Sequence, residues 1–158
     1  MSIAKLGDII EIQTRRGLFY AQYTHKHRID GELIQVSRRP FLFRPDNLNE
    51  VIQTDVGIIT FFPLSAALRR RIFPRIRNLP IPPQRHSFPI FRIRGHIDRS
   101  GRVTQWKFWD GENTWPQHWL SELTAEQLEL PIATGYNDTL LIERLESGPT
   151  PREHAKNH

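Results

Sequence analysis

His25 and His27 stand two residues apart, so in an extended segment both imidazoles fall on one face, an arrangement that a metal ion can use. A third ligand would have to come from His96, Asp98 or His118, and no spacing ties any of these to the pair. His-x-His is common by chance, so the two are read as polar residues of an edge strand, and no metal or other cofactor is expected. Nucleophilic catalysis has as little to stand on. None of Ser2, Ser37, Ser65, Ser87, Ser100, Ser121 and Ser147 lies in a Gly-x-Ser-x-Gly elbow. The chain has no cysteine, which removes disulfides, thiol chemistry and cysteine zinc sites. Its acids are scattered singly, so no general acid and base can be paired, and no glycine loop is built to cradle phosphate. An enzyme is not expected.

What remains suits binding. Ten of the twenty-two basic residues, all arginines, fall in residues 61–105, where Asp98 is the only acid. Residues 1–60 hold eight cations against seven anions, and residues 106–158 four against nine. The net charge of +5 therefore hides a basic middle beside an acidic C-terminal third, a polarity that steers encounters with other macromolecules without dictating the fold. Arginine outnumbers lysine eighteen to four. Its planar fork matches carboxylate and phosphate, although a G+C-rich genome would produce the same bias.

Trp106, Phe108, Trp109, Trp115 and Trp119 follow the arginines closely. Exposed, they could stack on unpaired bases; period-two alternation instead separates Trp106 and Phe108 from Trp109, which assigns at least one face to the core. The residues selected as partner-binding are Arg69, Arg70, Arg71, Arg75, Arg77, Trp109, Asp110, Glu112 and Trp115.

These residues need a scaffold, and 158 residues suffice for one core without covalent staples. The longest apolar stretch, 56–64, is interrupted by Thr60 and Pro63 and is too short to span a bilayer. The N-terminal residues lack a signal-peptide pattern, so a cytoplasmic protein with no membrane partner is expected.

Alternation predicts strands at 9–12 and 18–24, joined by a Thr14-Arg15-Arg16-Gly17 turn, and a third at 32–36 after Asp30-Gly31. Residues 45–53 read as a loop or one helical turn. Residues 56–62, apolar on both faces, read as a central, doubly covered strand ended by Pro63. Ser65 is then the N-cap of a helix over 66–71, closed by Pro74, with Arg69, Arg70 and Arg71 in the last turn, where cations complement the helix dipole. Pro80, Pro82 and Pro83 make an extended connector inside one domain.

Strands at 88–94 and 103–109 flank an Asp98-Arg99-Ser100-Gly101 turn, and Asp110-Gly111 turns the chain again. Thr124 and Gln127 form a capping box, with Leu123 and Leu128 as its hydrophobic staple. A final strand is predicted over 139–145. The fold class is thus α+β, mainly antiparallel β: a small curved sheet or SH3-like, partly open barrel with two or three short helices. Residues 1–147 are expected to form one β-rich domain and 148–158 a flexible tail.

Several blocks, in order, resemble a known family: Gly7-Asp8-Ile9-Ile10-Glu11-Ile12, Tyr20-Ala21-Gln22-Tyr23, Thr60-Phe61-Phe62-Pro63-Leu64, Trp109-Asp110-Gly111 and Asn137-Asp138-Thr139-Leu140-Leu141-Ile142-Glu143-Arg144. Their spacing over residues 6–147 is similar to that of the immunity protein 26 family, small bacterial proteins associated with polymorphic-toxin loci. The resemblance implies a non-enzymatic module that binds and neutralises a cognate toxin protein. The alternative is a nucleic-acid-binding domain using the arginine-rich segment 69–102; an enzyme or metal protein built on His25 and His27 ranks third.

Overall fold

A computed structural model describes residues 3–54 and 56–148. The opening residues behave as their alternation requires. β1 (Asp8–Thr14) pairs antiparallel with β2 (Gly17–His27), Ile12 opposite Phe19 and Ile10 opposite Ala21. The turn between them is closed by Thr14, whose hydroxyl donates to the Gly17 carbonyl at 2.9 Å. β2 then pairs with β3 (Gly31–Ser37), and β3 with β4 (Val56–Phe61), all antiparallel. A fifth strand, β5 (Arg75–Asn78), lies along the free side of β1, which gives the order β4-β3-β2-β1-β5. The sheet is open, with β4 and β5 at its edges.

Alternation buries both faces of this sheet. On one, Ile10, Ile12, Phe19, Ala21, Tyr23, Ile34 and Val36 pack with Phe62 and Phe73 and with α2 (Leu64–Arg69). On the other, Ile9 and Tyr20 meet Leu48, Val51 and Ile52 of α1 (Leu48–Gln53), the helical turn expected in 45–53.

Three expectations are corrected here. β4 is an edge strand, half-buried from Val56 to Ile59, because its apolar residues need only β3 on one side. Ser65 is not the cap of α2. The Glu32 carboxylate does that work from the β3 side, accepting the Ser65 N–H at 3.0 Å and its hydroxyl at 2.6 Å. Residues 139–145 are not a strand but part of α4 (Asp138–Ser147), capped by the Asn137 side chain, which accepts the Leu140 N–H at 2.8 Å. Leu141 and Leu145, one turn apart, enter the first cluster.

The described residues divide into two compact units, 3–87 with 135–148, and 88–134. The second holds a three-stranded antiparallel sheet, β6 (Phe91–Arg94), β7 (Gln105–Trp109) and β8 (His118–Trp119), in that order. The expected capping box is present at α3 (Ala125–Leu128): Thr124 Oγ1 accepts the Gln127 N–H at 3.1 Å, and Gln127 Oε1 accepts the Thr124 N–H at 2.9 Å. Both staple leucines, Leu123 and Leu128, pack against the Val103, Trp106 and Ile132 cluster. Apart from Gly148, the expected C-terminal tail lies outside the described residues. No helix among the described residues is long and apolar enough to cross a membrane.

Candidate partner-binding surface

Helix α2 ends by an unusual route. Arg71 adopts φ +56°, the only positive φ at a non-glycine residue among those described. Its N–H donates to the Leu68 carbonyl at 3.1 Å, and the Ile72 N–H reaches the Ala67 carbonyl at 3.0 Å. This is the paired closure in which glycine is the usual left-handed residue, because a Cβ there crowds the following carbonyl. Ile72 packs against the first cluster and holds the turn in place. The strained turn sets the Arg71 side chain beside an open groove of about 320 Å³, shared with Leu68, Phe73, Pro74 and Arg75.

A second groove of about 730 Å³ runs along β5, lined by Arg75, Ile76, Arg77 and Asn78 with Ile3, Lys5, Leu6 and Asp8. Arg75 lines both, so Arg71, Arg75, Arg77 and Lys5 form one cationic strip along grooves whose walls mix Leu68, Phe73 and Ile76 with Asp8 and Asn78. Arg75 is also structural: its guanidinium donates to the buried Asp8 carboxylate at 2.9 Å. Asn78 Nδ2 and the Lys5 N–H complete that carboxylate at 2.9 and 2.8 Å. Of the expected arginines, Arg69 and Arg70 are exposed at the end of α2 but line neither groove. Sequence reasoning missed Lys5, Ile3 and Leu6. Isolated residues ahead of the first strand carry no periodic signal, and only the pairing of β5 with β1 brings them to the arginines.

The basic segment is not uniformly surface charge. Arg85 is 4% exposed, donates to Gln22 Oε1 at 3.3 Å, and has its pKa drawn down to about 10 by burial. Arg92 is fully buried, its guanidinium 4.6 Å from the centre of the Trp106 ring and its Nε donating to the Leu130 carbonyl at 3.1 Å. Burial brings its pKa down to about 10 as well. Both stay cationic at neutral pH and both are held inside.

The other selected residues belong to 88–134. Trp109 is half-buried against the Phe88 and Phe91 rings, each centred 5.7 Å away. Trp106 and Phe108 share the buried face of β7, as alternation required. Asp110 serves its own turn: Oδ1 accepts the Asn113 and Glu112 N–H groups at 2.7 and 2.9 Å, which holds the carboxyl below its ordinary pKa. Gly111, at φ +98°, allows Phe88 to pass where a Cβ would meet the ring at 2.8 Å. Glu112 and Trp115 are exposed, as is Trp119.

The histidine pair lies on β2, the central strand of the first sheet rather than the expected edge strand, and both rings are engaged. His25 Nδ1 meets Thr24 Oγ1 and Nε2 meets the His86 carbonyl, both at 2.9 Å. His27 Nδ1 accepts the Ile29 and Asp30 N–H groups at 3.3 and 3.1 Å. Among the described residues no three His, Cys, Asp or Glu are grouped to hold a metal ion. Comparisons of the chain with protein-family models, curated proteins and solved structures find no match.

Proposed function

We propose that this protein is a non-enzymatic binding module that neutralises a cognate bacterial toxin in the cytoplasm, and that the Arg71–Arg75–Arg77 strip meets an acidic face of that toxin. The family resemblance of the sequence supports the toxin. The observation that carries the surface is Arg71. Short edge strands are commonly charged to block edge-to-edge pairing, which accounts for Arg75 and Arg77 without any partner. Nothing of that kind accounts for an arginine in a left-handed turn where glycine costs less, and strain retained at one residue is a mark of functional surface. A complementary cationic strip accelerates docking and excludes partners of the same sign.

The test is to identify the genes adjacent to this one and to co-express the protein with any toxin they encode; absence of a neighbouring toxin gene would count against the reading. Wild-type protein should rescue growth, and Arg71→Glu/Arg77→Glu should lose rescue while keeping its circular dichroism and melting profile; Arg75 is left intact because it holds Asp8. Rescue unaffected by the double reversal would reject the strip. The nucleic-acid alternative has fewer surface cations than segment 69–102 implied, since Arg85 and Arg92 are buried. Binding of random RNA at physiological salt, with no rescue, would favour that alternative.

A further inference from the structure

Leu42 and Phe43 are 84% and 82% exposed, adjacent large apolar side chains at the tip of the loop between β3 and α1. The loop is clamped on both sides of the tip. Before it, Phe41 exchanges backbone hydrogen bonds with Leu18, both at 2.8 Å, and sets its ring edge against Tyr20 with centres 5.8 Å apart. Gly17 makes room for this, because a Cβ there would lie 2.8 Å from the Phe41 carbonyl oxygen. After the tip, Arg44 grips Glu11 with two bonds, Nε to Oε2 at 2.8 Å and Nη2 to Oε1 at 3.1 Å. The same Oε2 accepts the Tyr20 hydroxyl at 2.7 Å. A loop that presents two hydrophobes to water only by default would not need anchoring at both ends.

Arg38 and Arg39, both exposed, precede the tip, and no acid lies between Ser37 and Asp46. We infer that this tip is a membrane-surface contact: Leu42 and Phe43 enter the headgroup region of an anionic bilayer while Arg38 and Arg39 bind lipid phosphates. Two protruding side chains are far too little for a stable protein interface, which buries about 800 Å² on each partner. A bilayer interface accepts isolated apolar side chains, and each nearby arginine adds attraction to an anionic leaflet. Guanidinium suits phosphate better than ammonium does. The sequence excluded a membrane partner for want of a spanning segment, but a loop tip that dips into headgroups needs none. The inference does not depend on the toxin.

The probe is vesicle flotation, using phosphatidylcholine alone or in equal parts with phosphatidylglycerol. Wild-type protein should float with the anionic vesicles and not with the neutral ones. Leu42→Ser/Phe43→Ser and Arg38→Gln/Arg39→Gln should each lower the bound fraction by about tenfold with the melting profile unchanged, since all four side chains lie outside the core. Arg71→Glu/Arg77→Glu should float as wild type. Glycerol phosphate in excess should not displace the protein; displacement would mean a free-phosphate site and overturn the inference. So would absence of flotation, or flotation lost in the Arg71/Arg77 variant and kept in the tip variants. Loss of toxin rescue in the tip variants without any vesicle binding would assign the tip to a protein pocket instead.

Discussion

Arg71 shows how one side chain can be kept against its own backbone. The left-handed conformation is disfavoured for every residue with a Cβ, and the two hydrogen bonds that close α2 require it there. Arg71→Gly should therefore raise stability by about 1 kcal/mol, measured as a higher urea midpoint, while weakening partner binding. Glu11 makes an opposite case, a side chain whose charge the fold rewards. The Arg44 guanidinium, helped by the Tyr20 hydroxyl and opposed by desolvation, holds its carboxyl below the ordinary 4.5. A depressed carboxyl stabilises the fold fully above its unfolded pKa, and that contribution is lost as pH falls through the lower, folded value. Glu11→Gln should thus be less stable than wild type at neutral pH and converge with it in strong acid, as followed by urea midpoints across that range. Equal stabilities at neutral pH would show that the clamp contributes nothing.

At the scale of elements, α4 and β4 make contrasting predictions. Leu141 is fully buried and Leu140 is 38% exposed. Leu141→Ala should cost about 2–5 kcal/mol and Leu140→Ala less than about 1; Glu143→Ala should also cost little, because the helix exposes Glu143, whereas a strand would place it on the buried face with Leu141 and Leu145. On β4, Phe61→Asp should unfold the first unit because Phe61 is 6% exposed, whereas Ile59→Asp, half-buried on the edge strand, should leave a folded protein with a lowered melting temperature. Strands β1 to β3, the turns after them and the Thr124 capping box were legible because alternation, turn residues and caps are local signals. The run Leu140-Leu141-Ile142 was not, since a short apolar stretch reads equally as strand or helix, and what decides is the exposure of Glu143 between buried Leu141 and Leu145. β5 has a single apolar residue, Ile76, and owes its conformation to β1 rather than to its own composition. The same limit hid the cationic strip: its arginines were evident, but the closure at Arg71 and the nearness of Lys5 exist only in three dimensions.

For the whole molecule, charge and connectivity divide along the same line. Residues 3–87 and 135–148 carry most of the arginine excess, whereas 88–134 hold five cations against six anions. Association with an acidic partner should slow steeply with added salt while dissociation changes little, readable by stopped-flow mixing. Trp106→Ala removes the largest member of the second unit's own cluster and should cost about 3–5 kcal/mol, with hydrogen-exchange protection lost within 88–134. The proline-rich connector could be read as a boundary, but strand spacing that continues across it favours one domain, and a stiff linker looks alike inside a domain and between two units.

The first unit is also interrupted in sequence: Leu141 and Leu145 of α4 complete a cluster begun by Ile10 and Ile12, and all of 88–134 is made in between. On the ribosome, the five strands of the first sheet and α2 emerge early, but the part of the cover that α4 supplies waits until the whole intervening unit has been translated. During that interval the nascent chain carries an apolar face that α2 covers only in part, so this protein should depend on a holding chaperone during synthesis more than its small size implies.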